Sequence, residues 1–369
     1  MKDPRIAKLA NNLLTHSVKL EKGQTLIISS TAEAKDLVIE LVRQTYQIGG
    51  FPIVRLSDEE ISRAVLMGIT EQQSKSMLAD ITHLFERADA YIGISAGRNE
   101  FELADVPMDR KNAHSKHFGQ PLREIGRTKN VWCGLNYPNA SMAQLAGTSL
   151  EAFEDFYFDV CSMDYSKMHN AMLPLKELME RTDKVRIVHQ DTGTDLTFSI
   201  KGQYATICAG THNIPDGEIM TTPLKYSANG KIKFNIPQMS KSSVLHHDLE
   251  LEFKDGKIIK ASSSNTKSLN EEIDCDEGAR YLGEFAFGVN PYITKPMNDI
   301  LFDEKIAGSI HIALGKGYEE NCADKENMNR SSLHWDVILL NPDIYFDDVL
   351  IRKNGKFVLP QLLALENLK

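Results

Sequence analysis

Three dipeptides suited to two-residue β-hairpins, Asn229-Gly230, Asp255-Gly256 and Asn354-Gly355, all lie after residue 182 of this 369-residue chain. Asn-Gly and Asp-Gly supply the positive φ values that such turns demand. Their one-sided placement divides the sequence. Before them, apolar stripes at helical spacing alternate with short, wholly apolar runs. Ile6, Leu9, Ala10, Leu13, Leu14 and Val18 form one stripe, and Leu37, Val38, Leu41, Val42 and Tyr46 another. The runs Thr25 to Ile28, Phe51 to Val54, Ala90 to Ile94 and Val131 to Cys133 read as buried strands. Helices alternating with such strands predict a parallel sheet covered on both faces. Residues 149–180 predict a long helical stretch, divisible near Asp164. After Arg181, strand-like runs at Val185 to Val188, Leu196 to Ile200, Leu249 to Phe253 and Ile258 to Ala261 take over. The fold class is therefore α/β: an N-terminal parallel-sheet α/β domain over 1–182, then a β-rich, mixed α+β domain over 183–369.

Composition excludes several classes of function. With 42% hydrophobic and 25% charged residues the chain resembles an ordinary globular protein. The net charge of −9 argues against a nucleic-acid partner, which needs a basic face to displace counterions. No apolar run approaches the roughly 18 residues of a membrane span, so no membrane partner is expected. The five cysteines are scattered, with no CxxC pair, as suits a reducing compartment. Met1 to Arg5 leads into an amphipathic stretch rather than a signal-peptide core, and the expected location is cytoplasmic. GxGxxG, P-loop, GxSxG and HExxH motifs are all absent. His114 and His117 share a helix face without an acidic third ligand, and His246 and His247 are adjacent. Both pairs read as structural.

The second half carries four candidate segments. In His334-Trp335-Asp336, alternation on a strand would put His334 and Asp336 on one face and Trp335 on the other. In Ser309 to Leu314, His311 stands inside an apolar strand, and Gly315 and Gly317 then allow Tyr318 to fold back. In Tyr281 to Asn290, Glu284 is flanked by apolar residues. An unpaired carboxylate there would be costly or neutral, so it needs a cation, either a basic side chain or a metal. In Asn213 to Met220, a Pro-Asp-Gly turn presents Glu218 at a strand start, which alone is an ordinary turn. Together Glu218, Glu284, His311, His334 and Asp336 offer three carboxylates and two imidazoles. That set balances two divalent ions and a bridging hydroxide, and motivates a two-metal hydrolase.

These segments, in their order along the chain from Asn213 to Asp336, resemble the aminopeptidase T / aminopeptidase S family of metallo-aminopeptidases. The resemblance extends to Gly193-Thr194-Asp195-Leu196, to Tyr137 through Gly147 and to the Phe153 to Asp164 helix. It implies that Glu218, Glu284, His311, His334 and Asp336 hold two divalent metal ions per chain (Zn, Co, Mn or Mg), with the site in the C-terminal domain. It places Tyr318 beside the metals, where Tyr318 and Glu284 would act catalytically. It implies hydrolysis of the N-terminal residue from short peptides with a free N-terminus, through a bridging hydroxide, in a homodimer. The chain departs from the family at Trp335, where a small apolar residue is expected, and in a brief loop between Tyr318 and His334. A different class of enzyme shares part of the pattern. His311, His334 and Asp336 alone make the two-His-one-carboxylate set of a mononuclear Fe(II) ring-cleaving dioxygenase of dihydroxypyridine type.

Overall fold

The computed structural model describes residues 3–99, 101–242, 244–325 and 328–369. The chain divides into two compact units, residues 1–163 with 210–215, and residues 164–209 with 216–369. The change of sequence pattern near 182 falls at the end of the helix Tyr165–Arg181, which lies in the second unit.

The first unit is built on four parallel strands, β1 (Thr25–Thr31), β2 (Phe51–Ser57), β3 (Ala90–Ser95) and β4 (Val131–Asn136). They lie in the order β2-β1-β3-β4, and a short strand at Asn213–Ile214 adds parallel to β4. Successive side chains of a strand point to opposite faces. Leu26, Ile27 and Ile28 of β1 are nevertheless all fully buried, so both faces are covered, as the apolar runs predict. Ile27 packs with Ile81 and Phe85 of the helix Glu71–Glu86. β2 is an edge strand with Phe51, Val54 and Leu56 exposed. The predicted long helix is two, Leu150–Cys161 and Tyr165–Arg181. Asp164 separates them by accepting a hydrogen bond from the Lys167 backbone N–H, an N-cap that starts the second.

The second unit holds two large antiparallel sheets and a two-stranded one, Gln238–Met239 with Leu245–His246. The larger has eight strands, and in it the Asp255-Gly256 and Asn354-Gly355 hairpins form as predicted, with positive φ at both turn residues. Asn229-Gly230 does not turn. It opens the strand Asn229–Lys233, with Gly230 paired to Leu196 and Phe253. Glycine serves close approach there instead: a Cβ at Gly230 would lie 2.2 Å from the Asp195 carbonyl oxygen. The smaller sheet comprises β5 (Thr206–Cys208), β6 (Glu218–Thr221), β7 (Leu282–Gly288), β8 (Ser309–Gly315) and β9 (His334–Leu340), in the order β9-β8-β7-β6-β5. Phe285 and Phe287 of β7 meet Phe198, Phe346 and Phe357 of the larger sheet, with ring centroids 5.1, 6.0 and 5.7 Å apart. The apolar face of the small sheet thus packs on the large one. Among the described residues, no helix is long and apolar enough to cross a membrane, and no two cysteines form a disulfide.

Candidate metal centre

The register of the small sheet decides where its polar side chains go. Gly288 pairs with Glu218, Ala286 with His311, Ala313 with Asp336 and Gly315 with His334. Directly paired residues of antiparallel strands share a face. Glu284 lies two residues from Ala286 and so joins that face. Five residues scattered over more than a hundred positions of sequence therefore project from one side of one sheet. All five face glycine or alanine across a strand pair, Glu284 sharing Ala313 with Asp336, which leaves room for side chains to converge. Phe285, Phe287, Ile310, Ile312, Trp335 and Val337 point the other way. Trp335 is buried, and its indole N–H donates to the Met239 carbonyl.

The convergence is tight. His311 Nε2 lies 3.1 Å from Glu284 Oε1 and 3.4 Å from Glu218 Oε2. His334 Nε2 lies 3.2 Å from Asp336 Oδ1 and 3.5 Å from Glu284 Oε2. Glu284 thus turns one oxygen to each imidazole. Tyr318, from the loop after β8, brings its hydroxyl to 3.3 Å from His334 Nε2, inside the same cluster. Its backbone N–H donates to Thr222 Oγ1. The Nδ1–H of His334 donates to the Lys316 carbonyl at 2.9 Å, which fixes the tautomer and leaves Nε2 free to accept a metal. His311 has no such anchor, and its Nδ1 is buried without a hydrogen-bond partner.

The electrostatics favour added positive charge. Burial pushes the Glu218 and Glu284 carboxyls up, against the pull of Lys305 and His311. Burial alone would lower both imidazoles, but the carboxylates outweigh it and raise His311 to about 10 and His334 to about 9. Burial likewise raises Asp336, yet the charge and hydrogen bond of His334 hold it below the usual carboxylate range. Burial and then the charges of Glu284, Asp336 and Glu218 push the Tyr318 phenol far up. Protons on the imidazoles do here what bound cations would do, and metal binding would release them. Glu218 Oε2 is buried with no hydrogen-bond partner, an acceptor aimed into the cluster. Carboxylate oxygens and imidazole nitrogens, three of them from Glu284, His311 and Asp336 within 4.8 Å of one another, suit divalent ions of the zinc, cobalt, manganese and magnesium group.

Two further charged groups were not predicted. Lys305 is fully buried, and its ammonium lies 2.8 Å from Glu218 Oε1 while also pairing with Glu304. The sequence signal is faint: Asp303-Glu304-Lys305 reads as an exposed charged turn. The apolar residues on both sides, Ile300 to Phe302 and Ile306-Ala307, are the one hint that this turn is enclosed. Among the described residues, Glu304 falls in a metal-capable group with Glu218 and His311, and Cys208 and Asp216 in another with Glu218. His114 and His117 lie in the first unit. His114 meets Ser74 and His117 meets Glu71.

An antiparallel sheet that gathers acids and imidazoles on one buried face has the donor set of a metal-dependent enzyme. Residues 2–357 match the family described as thermophilic metalloprotease (M29), and the chain belongs to it, in keeping with the resemblance seen in the sequence. It is a metal-dependent peptide hydrolase. Aminopeptidase 2 of Geobacillus stearothermophilus is 26% identical, over 96% of this chain and 95% of that protein. Aminopeptidase PepS of Streptococcus thermophilus is 26% identical, over 96% and 98%. Aminopeptidase T of Thermus aquaticus is 24% identical, over 93% and 94%. The solved structure of wild-type AmpT from Thermus thermophilus superposes with a TM-score of 0.84 at 21% identity, covering 96% of this chain and 99% of that one, and shares the fold.

Proposed function

We propose that the protein is an aminopeptidase that removes the N-terminal residue from short peptides at a two-metal centre held by Glu218, Glu284, His311, His334 and Asp336. The observation that carries the reading is the split of Glu284, one oxygen toward each histidine. It divides the cluster into two halves, Glu218 with His311 and His334 with Asp336, that share one carboxylate. A mononuclear iron site would need only His311, His334 and Asp336 and would leave two buried glutamates without a task. The relatives named aminopeptidases give the peptidase reading its substrate class, and nothing comparable supports a dioxygenase.

When bound, the ions would supply a hydroxide at neutral pH, polarise the scissile carbonyl and offer an anchor to the free amino group. That anchor would restrict cleavage to chain ends, since an internal bond has no amine beside it. The residues of the chain do the rest. Tyr318, kept protonated by its acidic surroundings, donates a hydrogen bond to the oxyanion that forms at the attacked carbonyl. Glu284 holds both halves of the site in register. A carboxylate of the cluster carries the proton to the departing amine. His334, oriented by the Lys316 carbonyl, keeps its ligand nitrogen and the Tyr318 hydroxyl in one place. We also propose that the protein works as a cytoplasmic homodimer, on the strength of its family resemblance, its acidic charge and the scatter of its cysteines along the sequence.

The test is an assay of metal-stripped protein reloaded with cobalt, zinc, manganese or magnesium. Substrates are leucine-p-nitroanilide and short peptides, each beside its N-acetylated form. Metal-dependent release from free-amine substrates alone, with about two ions per chain by elemental analysis, is the expected result. Cleavage of acetylated peptides, or full activity with one ion, would overturn it.

A further inference from the structure

Lys305 is the most enclosed charge in the second unit and the one nearest the metal centre that is not itself a ligand. Its ammonium holds Glu218 Oε1 at 2.8 Å, while Glu218 Oε2, buried without a hydrogen-bond partner, points to His311. Its place is fixed from both sides. The Lys305 N–H donates to the Phe302 carbonyl, and the Lys305 carbonyl accepts from the Asn290 N–H. The Asn290 side chain in turn donates to the Asp216 carbonyl, two residues before Glu218. One short network therefore sets both the lysine and the glutamate it holds. With full burial and two carboxylates already on its ammonium, Lys305 has no face left for substrate. It acts through Glu218.

We propose that Lys305 is a positioning residue that occupies one oxygen of Glu218, so that Glu218 binds its ion through Oε2 alone and leaves that ion a coordination position for substrate. The proposal rests on the ligand assignment above. The same lysine places a positive charge beside that ion, so the clamp holds the metal less firmly than a free, bidentate glutamate would. Glu304, which is only partly buried, is the second carboxylate on the ammonium.

Three proteins decide the matter: the unaltered holoenzyme, Lys305→Met and Lys305→Gln. Lys305→Met removes clamp and charge together. One ion per chain should then leave to chelator about a thousandfold more slowly, the scale set by a unit charge about 4 Å away at an effective dielectric of about 20. The other ion should leave at its former rate, and kcat should fall by about 10- to 100-fold. Lys305→Gln restores an uncharged N–H donor, so it should retain the slow ion yet recover much of the lost kcat. Faster loss of one ion in Lys305→Met, or unchanged release of both, would make the lysine a structural prop and overturn the proposal. If Lys305→Met does not fold, the metal-loaded structure of the unaltered protein decides. Glu218 bound through Oε2 with Oε1 on Lys305 supports the proposal, and a bidentate Glu218 overturns it. Failure of the ligand assignment itself looks different: Glu218→Gln would then retain every ion that the unaltered protein holds.

Discussion

Each unit of the chain contains a five-stranded sheet, and the two could hardly differ more in use. The parallel sheet buries both faces of its central strand β1, at Leu26, Ile27 and Ile28. The antiparallel sheet buries both faces as well, since β7 and β8 have no accessible residue. Its two faces are unlike. One is Phe285, Phe287, Ile310, Ile312 and Trp335, packed on a second sheet. The other is glutamate, histidine and aspartate, packed on one another. A buried polar face is stable only if its charges are paired, and this one keeps acids and imidazoles in near contact where a metal would serve better. The comparison teaches that complete burial marks structure in the first unit and chemistry in the second, and that the residue at alternate positions tells them apart.

The sharpest way to break this contrast is to remove the shared ligand. Glu284→Gln is expected to abolish turnover and lower metal content together. Full activity with full metal content would place the chemistry elsewhere. Next is Tyr318→Phe, which takes away a donor without touching a ligand. It should reduce kcat by about 100-fold or more while metal content and KM stay close to those of the unaltered protein. A third experiment sets the two sheets side by side. Ile92→Ala in β3 should cost about 2–5 kcal/mol of stability, read from chemical denaturation, and leave metal content unchanged. Ala313→Leu in β8 crowds Asp336 across the strand pair and should cost about 1–3 kcal/mol while also lowering metal content. Equal metal retention in both variants would deny the site face its special status.

The smallest effect concerns the support of the β9 strand start. Burial pushes the Asp276 carboxyl up, but hydrogen bonds from Ser332, Ser331 and the Gly278 N–H outweigh it and hold it at about 2, below its ordinary 3.8. A depressed carboxylate contributes stability above its unfolded value and loses it as pH falls toward the folded one. Between about pH 4 and pH 2 the unaltered protein should therefore lose stability more steeply than Asp276→Asn, in denaturation measured at several pH values. Parallel curves would remove Asp276 from the account.

Much of this was legible in the sequence because burial patterns are local. Apolar runs between helical stripes gave the parallel sheet, and Asp255-Gly256 and Asn354-Gly355 gave their hairpins. His334-Trp335-Asp336 placed His334 and Asp336 together on one strand face, because strand alternation needs no knowledge of neighbours. Cross-strand register is not local, and what depends on it escaped. Asn229-Gly230 has the composition of a turn, but tertiary contact made it a strand start pressed against Asp195. Lys305 looks like a surface lysine in a charged tripeptide, and only the folded chain shows it fully buried between Glu218 and Glu304. The small partners Ala286, Ala313, Gly288 and Gly315 look like unremarkable strand residues until pairing sets each beside a ligand.

Gly315 shows what such a partner means for inheritance. It has φ +97, and a Cβ there would lie 2.3 Å from the Leu333 carbonyl oxygen, one residue before His334. Any amino acid reached from a glycine codon by one base change carries a Cβ. No single missense mutation at this codon can therefore be silent to the fold, and a lineage that altered its substrate range would have to do so through other codons, leaving this one as it is.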